Sequence, residues 1–454
     1  MPTSNTGGAM PPVVNFTAEV RDGPIRARQV AVIVTLGLLV LFDGMDTQML
    51  GVIANEMTRD LGLSISNFGV VFSFGLLGGI AGALLISPLA DRLLGRKTIT
   101  VAAMAVAGLA TIATPLATNL HELLVIRFIA GVGLGAALPS IFALVSEFSP
   151  KRFSRPITSS LIAFMPLGSF LAGVIGRFVV PAHGWPMLLY VGGGLTLFLT
   201  LLAAWILPES VYFLARIKNN QQRALKAARA LLPDLRAGAV MVEDADGTAE
   251  KKQPVARLFA GGFWKFTLLI WLAYIMNQGI LYFVLSWTPA LLQKSGLATA
   301  AGMDAAAMFG LGGALGTALQ GWLATKVNIH KLMFAEMALY LVAILTLPFI
   351  LHDGVLTSVA VFFIAVGICA YQAGFILIVV ESYPNDIRAT GFGWALGIGR
   401  IGATAAPVLA GMLVGLGWGA GQIFVAASIP GMISATALLL IALLARRSKS
   451  AIQP

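Results

Sequence analysis

Residues 67–117 read NFGVVFSFGLLGGIAGALLISPLADRLLGRKTITVAAMAVAGLATIATPLA, two long apolar runs joined by a short charged loop. The charged residues of this loop are Asp91, Arg92, Arg96 and Lys97, and neither run contains another. A helix needs about 20 apolar residues to cross the hydrocarbon core of a bilayer, and each run has that length. The stretch therefore predicts two membrane-spanning helices with a tight, charged turn between them.

The same alternation extends over the whole chain of 454 residues. Hydrophobic residues make up 58% of it and charged residues only 11%, whereas a soluble domain carries about 25% charged residues. We predict an all-α membrane protein with twelve transmembrane helices, at residues 30–54, 67–89, 98–117, 120–146, 156–180, 185–207, 263–292, 300–323, 331–351, 355–380, 389–416 and 422–444. The predicted domains are a tail (1–29), a six-helix bundle (30–207), a connecting loop (208–262), a second six-helix bundle (263–444) and a tail (445–454).

The basic residues predict how the chain is oriented. If both termini are cytoplasmic, 25 of the 30 lysine and arginine residues fall in inner segments, and only Arg59 and Lys294 fall in outer loops. Basic residues favour the cytoplasmic loops of membrane proteins. We therefore predict a multi-pass inner-membrane protein with both termini and the connecting loop in the cytoplasm. The net charge of +10 then reflects topology, so we expect no nucleic acid partner.

The two predicted bundles align with each other at a constant offset of 234 residues. At this offset Gly78-Gly79 falls on Gly312-Gly313, and Glu147 falls on Glu381. The offset superposes odd-numbered helices on odd-numbered helices, so the repeat is parallel. Small residues at equivalent positions let membrane helices approach each other closely. The sequence thus predicts two parallel six-helix repeats.

Three short motifs indicate the kind of membrane protein. The first span contains DGMDT at residues 43–47, and the eleventh region contains RATG at residues 388–391, followed by Arg400. The loop SPLADRLLGRK at residues 87–97 resembles the signature loop of major facilitators, with one extra residue between Arg92 and Gly95. Together these stretches resemble the aromatic acid:proton symporter family of the major facilitators, over nearly the whole chain.

The resemblance implies the major facilitator fold and proton-coupled uptake of a small aromatic acid anion, benzoate-like or hydroxybenzoate-like, by alternating access. It implies no cofactor, and no obligate protein partner is evident beyond the lipid bilayer. The residues matched to proton coupling are Asp43, Asp46, Arg127 and Glu147. The residues matched to a conformational gate are Asp91, Arg92, Arg96 and Arg388.

Charges inside membrane spans are costly and usually face a cavity or a partner. Asp43 and Asp46 lie three residues apart on one helix face, and a proton taken up by one of them relieves their repulsion. Arg400 lies about 18 Å along its helix from Arg388, near mid-bilayer, where its planar fork suits a carboxylate. We expect Arg400, Asp43 and Asp46 to bind the substrate; the alternative is that these charges pair only for packing.

Side chains on the seventh and tenth spans are further candidates. We expect Trp287, Tyr371 and Gln372 to contact the substrate, since aromatic rings stack on one another. Tyr282 and Phe283, on the seventh span, are candidates for the same reason. The alternative is that they pack inside the protein or face lipid. Glu336, in the ninth span, is expected to form a structural pair, whereas His183 and the other histidines are expected to lie at interfaces.

The sequence contains no phosphate loop, no nucleophile elbow and no metalloprotease motif. We therefore expect neither an enzyme nor a metal site. Three alternatives to aromatic acid uptake remain: a symporter for another organic acid or a sugar, an exporter, and a membrane sensor that binds a ligand without transporting it. The sensor is disfavoured because neither short tail holds an output domain.

Overall fold

The computed structural model describes residues 13–217, 220–235, 239–242, 255–260 and 262–450. The first half consists of α1 (Phe16–Asp22), α2 (Ala27–Asp60), α3 (Phe68–Ala81), α4 (Arg96–Ala113), α5 (Leu120–Phe148), α6 (Lys151–His183) and α7 (Trp185–Ile206). The connector holds α8 (Val211–Arg216) and α9 (Gln221–Leu231). The second half consists of α10 (Trp264–Lys294), α11 (Thr299–Leu323), α12 (Ile329–Ile350), α13 (Gly354–Ser382), α14 (Asn385–Gly415) and α15 (Ala420–Ser450).

Eleven of the twelve long helices in the described chain are long and apolar enough to cross a membrane. The twelfth, α11, has 25 residues, and its apolar character is diluted by glycines and by Asp304 and Gln320. It packs against α6 and α13, in the place of a spanning helix. The predicted arrangement of twelve helices in two sets of six is confirmed.

Because successive long helices alternate in direction, both ends of the described chain and the connector lie at one face of the molecule. We call this the terminal face and the opposite one the distal face. At the terminal face, strand β1 (Val13–Asn15) pairs in parallel with strand β2 (Ala239–Met241) of the connector. Phe16 of α1 is fully buried in the same cluster as Leu231 of α9. The segment before α2 is therefore packed against the connector.

The internal repeat is visible as repeated contacts. Two glycines, one in α3 and one just after it, pack against carbonyl oxygens of α5, and two glycines of α11 pack in the same way against α13. The pairs are Gly78 with Phe128, Gly82 with Val132, Gly312 with Phe362 and Gly316 with Val366. Each second-half residue is the first-half residue plus 234, and a Cβ at any of these glycines would crowd the carbonyl oxygen. The offset therefore describes helix packing as well as sequence.

Most residues of the charged loop between α3 and α4 form helical turns. After α3 the chain forms π-helical turns at Gly82–Ile86 and Ala90–Leu94, in which the amide of Gly95 donates to the carbonyl of Ala90 at 3.0 Å. A π-helical turn holds one more residue than an α-helical turn, so it accommodates the extra residue noted in the motif. Gly95 has φ +92°, a conformation that favours glycine.

The two halves touch near the distal face. Gly51 of α2 packs against the backbone of α10 at Leu285, and Gly69 of α3 packs against the carbonyl of Pro407 in α14. Ser73 of α3 also donates to the carbonyl of Thr404 at 2.7 Å. These contacts bring α2 and α3 against α10 and α14, so the distal end of the space between the halves is closed.

Candidate functional site

A cavity of about 380 Å³ lies between the two halves. Its walls come from α2, α3, α5 and α6 of the first half and from α10, α11, α13 and α14 of the second. Most of the lining residues are apolar. The charged residues that line it are Asp43, Asp46, Arg127 and Arg400. Four of the charges predicted inside membrane spans are thus brought together in one place, three from the first half and one from the second.

Asp46 and Arg127 form a buried ion pair in the first-half wall. Nη2 of Arg127 donates to Oδ2 of Asp46 at 2.6 Å, and the two side chains are 3% and 5% exposed. The hydroxyl of Thr111, on α4, donates to the other oxygen of Asp46. Removing one partner of such a pair leaves an uncompensated buried charge. The pair therefore ties α2 to α5, and the hydroxyl ties both to α4.

Asp43 lies one turn earlier on α2 and forms no ion pair with any residue the structure describes. The residue is 4% exposed, and its Oδ2 receives no hydrogen bond. The neighbouring Gly44 packs against the backbone carbonyl of Met165 in α6, where a Cβ would overlap it. Close packing of α6 on α2 thus requires the glycine between the two aspartates.

Arg400 lies on α14 and lines the cavity from the second half. Within the described chain no carboxylate forms an ion pair with it, whereas Arg127 is paired. Asp43 is near enough to interact with its charge without forming an ion pair. The guanidinium is partly exposed. Its planar fork is therefore available for an anion.

A chain of polar side chains lies beside Arg400. Asn277 donates its amide to Oε1 of Gln372, and Nε2 of Gln372 donates to the hydroxyl of Tyr274 at 2.6 Å. The ring of Tyr274 packs against Gly399, next to Arg400. This chain holds Gln372, a predicted substrate contact, in the cavity wall.

Three polar cavity residues lie on one side of α10: Tyr282, which is among the sequence candidates, and Tyr274 and Gln278, which are not. They are spaced four residues apart, so they mark one helix face. That spacing in an otherwise apolar span is a signal that the sequence offered.

Aromatic and aliphatic side chains close the cavity at its distal end. Phe72 of α3 meets Tyr282 of α10 edge-on, with ring centroids 6.5 Å apart. Leu50 of α2 and Leu285 of α10 line the same end. Because these residues come from both halves, a separation of the halves at the distal face would open the cavity there.

Two predicted substrate contacts lie outside the cavity lining. Trp287 is fully buried; its ring meets Phe68 edge-on at 5.7 Å, and its Nε1 donates to the carbonyl of Pro407 at 3.0 Å. Tyr371 is fully buried too, with its hydroxyl 2.9 Å from that of Ser434. The protein itself satisfies the polar atom of each ring. In this structure both rings pack inside the protein, and their contact with substrate stays a prediction.

The predicted gate residues of the first half meet at the terminal face. Nε of Arg96 lies 2.7 Å from Oδ1 of Asp91, and its Nη1 lies 3.2 Å from Oε2 of Glu147. Arg92 is exposed. Arg96, at the start of α4, therefore bridges the loop between α3 and α4 and the end of α5. We call Arg96 and Glu147 the first-half latch.

Glu147 lies in this latch and not beside the ion pair of Asp46 and Arg127, although the resemblance matches all three residues to proton coupling. Its side chain is 1% exposed and accepts hydrogen bonds from the hydroxyl of Ser210 and the amide of Val211, both at 2.7 Å. The neighbouring Glu209 accepts a bond from the amide of Lys97 at 2.8 Å, at the start of α4. Residues 208–210 (Pro-Glu-Ser), which follow α7, thus anchor the connector to the first-half latch.

The remaining predicted residues lie in the second half or at helix ends. Arg388 donates from Nη2 to the carbonyl of Tyr383 at 3.3 Å, at the start of α14. Glu336 is 7% exposed, and its Oε2 has no hydrogen-bond partner among the described residues, so the structural pair expected for it is not formed. His183 is exposed at the end of α6, as expected for an interfacial histidine.

Comparison with known proteins assigns the chain to a family. A family model described as Major Facilitator Superfamily matches residues 36–407. The chain is 34% identical to the gallate transporter of Pseudomonas putida, over 94% of this chain and 96% of that protein. It is 33% identical to the 4-hydroxybenzoate transporter PcaK of Pseudomonas aeruginosa, over 94% and 95%. It is 34% identical to the 3-(3-hydroxy-phenyl)propionate transporter of Escherichia coli, over 92% and 94%.

Among solved structures, the chain is similar to the inward-open conformation of the xylose transporter XylE from E. coli. The TM-score is 0.70 at 16% sequence identity, over 91% of this chain and 95% of that one. At this identity the likeness shows the fold alone. The relatives and the structural neighbour are transporters and not enzymes. With a family match over most of its length and relatives above 30% identity, the chain belongs to the aromatic acid transporters of the major facilitator superfamily.

Proposed function

We propose that the protein takes up a small aromatic carboxylate together with protons, across the inner membrane, by alternating access. The relatives described above transport gallate, 4-hydroxybenzoate and 3-(3-hydroxyphenyl)propionate, and each of these is an acid with an aromatic ring. The chain aligns with nearly the whole length of these proteins. The charges of the cavity then suggest how such an acid is held.

The observation that carries the proposal is the contrast between two arginines in one cavity. Asp46 neutralises Arg127 at 2.6 Å, whereas Arg400 has no carboxylate partner within the described chain. A cation in such a site favours an anion that fills its planar fork, as a carboxylate does. Phe72 and Tyr282 border the same space and would flank an aromatic ring. A volume of about 380 Å³ falls within the usual range for small-ligand sites.

Asp43 is the residue we propose for the coupled proton. It lines the cavity, is nearly fully buried and forms no ion pair among the described residues, unlike Asp46. A carboxyl group in that situation takes up or releases a proton when a nearby charge moves. Arg400 is such a charge, because its interaction with Asp43 changes when a substrate carboxylate occupies its fork. We assign Asp46 and Arg127 to holding the first half together.

The conformation supports an alternating-access cycle. The halves meet near the distal face, where Phe72 and Tyr282 close the cavity. We propose that the terminal face is cytoplasmic, because most of the basic residues lie on that side. The structure would then correspond to a carrier closed to the outside. Major facilitators move substrate by rocking two such halves about a site at their interface.

The proposal is tested by uptake into cells that express the protein in its full length. Labelled benzoate, 4-hydroxybenzoate, gallate and 3-(3-hydroxyphenyl)propionate would each be supplied at pH 6, with and without a protonophore. We expect accumulation of at least one of them and its collapse with the protonophore. Cells that do not express the protein are the control.

Other outcomes separate the alternatives. Accumulation of xylose or a non-aromatic acid in preference to all four would indicate a different symporter. Protonophore-sensitive extrusion of preloaded acid would indicate an exporter. Saturable binding to purified protein, with no flux in proteoliposomes, would indicate a sensor. Uptake that the protonophore leaves unchanged would refute the coupling.

A further inference from the structure

The 234-residue offset that relates the helix contacts of the two halves also relates their charged pairs at the terminal face. Arg96 and Glu147 make up the first-half latch, and adding 234 to each number gives His330 and Glu381. These two residues meet as well: Nδ1 of His330 lies 3.7 Å from Oε2 of Glu381. In both halves, a residue at the start of the third helix meets a glutamate at the end of the fourth. The second pair therefore occupies the structural position of the first.

The chemistry of the two pairs differs. Arginine is always charged in proteins, whereas an imidazole attracts a carboxylate strongly only when it is protonated, and histidine is the side chain whose charge changes between pH 5 and 8. We propose that His330 and Glu381 form a second, proton-sensitive latch. It holds the start of α12 to the end of α13 when the terminal face is acidic and releases them as the pH rises.

The glutamate of the second latch is also less buried than that of the first. Glu147 is 1% exposed and accepts three further hydrogen bonds from the connector. Glu381 is 52% exposed, beside a His330 side chain that is 16% exposed. The offset also places Thr325 where the first half has Asp91. The glutamate of the second latch is therefore more open to solvent than that of the first.

The elements around His330 carry other charges. α12 packs against α13 and α15, and α13 supplies Glu381. Lys326, Lys331 and Glu336 lie near His330 in sequence. The end of α15 carries Arg446, Arg447 and Lys449, and the start of α14, just after Glu381, carries Asp386 and Arg388. Lysine and arginine keep their charge between pH 5 and 8, so they form a constant background. Glu336 lies further along α12, and the variants below separate it from the pair.

The consequence for transport rests on the proposed function. A symporter that brings protons in acidifies its cytoplasmic side, and the second latch would then tighten at the terminal face. Tightening holds two helices of the second half together and slows the movement that returns the carrier. The latch would thus reduce proton entry when the cytoplasm is already acidic.

The first experiment tests the pair without any substrate. Thermal unfolding of purified wild type, His330→Gln, Glu381→Gln and the double variant would be compared at pH 5.5 and at pH 8. A partly exposed ion pair contributes up to about 1 kcal/mol, so we expect a coupling of roughly 1–2 °C in Tm at pH 5.5. We expect none at pH 8, because the neutral imidazole has lost its charge. Coupling that is the same at both pH values, or absent at both, would overturn the latch.

The second experiment tests the effect on transport. Exchange of labelled for unlabelled 4-hydroxybenzoate would be measured in proteoliposomes, at equal pH on both sides, between pH 5.5 and 8. We expect His330→Arg to exchange about threefold more slowly than His330→Gln at pH 8, and to lack the wild-type rise between acidic and neutral pH. Glu381→Gln should behave like His330→Gln, and His352→Gln, at the other end of α12, should behave like wild type.

The outcomes of the two experiments are distinguishable. If wild type exchanges no aromatic acid, the proposed function fails, and the unfolding experiment still tests the pair. If exchange occurs and His330→Arg and His330→Gln both keep the wild-type pH profile, the regulatory role is refuted. If both variants shift in the same direction, His330 is a packing residue and not a charge switch.

Discussion

Replacing Asp46 with asparagine should destabilise the protein far more than the same change at Asp43, although the two residues lie one turn apart. Asp46→Asn removes the negative partner of a buried pair at 2.6 Å. Breaking such a pair from one side costs about 3–5 kcal/mol. Nε and Nη1 of Arg127 have no hydrogen-bond partners of their own among the described residues, so no other group compensates its charge. Asp43→Asn removes no ion pair, and we expect a change within about 1 kcal/mol.

Purified variants would be compared by thermal unfolding followed through tryptophan fluorescence, and by the fraction inserted in membranes. The double variant Asp46→Asn/Arg127→Gln removes both charges together. It should be more stable than Asp46→Asn alone, because a neutral pair leaves no uncompensated charge. Equal destabilisation by Asp43→Asn and Asp46→Asn, or no recovery in the double variant, would refute the assignment of Asp46 to the structural pair.

Transport assays test the separate role that we assign to Asp43. Asn keeps the shape of the side chain at position 43 and cannot carry the coupled proton. Asp43→Asn should therefore retain exchange of labelled for unlabelled substrate at equal pH and lose accumulation driven by a pH gradient. Wild-type accumulation by Asp43→Asn would show that the coupled proton binds elsewhere.

Three further predictions test the binding site, the packing and the topology. Arg400→Lys keeps the charge and loses the planar guanidinium that binds both carboxylate oxygens, so KM for uptake should rise about tenfold. Membrane insertion of the variant should be normal. If the amide of the substrate competes for uptake as well as the acid does, this assignment of Arg400 is wrong. Gly44→Val should abolish insertion because its side chain overlaps the backbone of α6, whereas Gly393→Ala, at a site with open space, should insert normally. Reporter fusions after residues 120 and 352 should be external, and a cytoplasmic signal from both would reverse the orientation.

The sequence was sufficient for the fold and for all four charged residues that line the cavity. Membrane spans follow from local apolar length, and Asp43, Asp46 and Arg400 are conspicuous because charges are rare in such spans. Which charge pairs with which could not be predicted, because pairing depends on how helices far apart in sequence pack. The ion pair of Asp46 and Arg127 joins residues 81 positions apart.

The same dependence on helix packing applies to the aromatic rings and to the first-half latch. Trp287 and a residue such as Tyr282 lie on one helix, and sequence does not show which face meets another helix and which meets a cavity. Glu147 was grouped with the central aspartates, yet its partners are in a connector more than 60 residues away. The 234-residue offset already relates Arg96 to His330, but only the structure shows that each of them meets a glutamate.

The charges of the cavity also predict a stoichiometry. Asp46 and Arg127 cancel each other, so Asp43 and Arg400 decide the net charge. When the halves move without substrate, an ionised Asp43 balances Arg400; when a carboxylate binds Arg400, a proton on Asp43 restores neutrality. An uncompensated charge in a water-poor cavity is costly, so both the empty and the loaded carrier should move as neutral species. We therefore expect one proton per substrate anion at this site. In proteoliposomes without a pH gradient, an imposed membrane potential should leave the initial rate of uptake unchanged, and uptake that increases with an inside-negative potential would require a second proton-binding group.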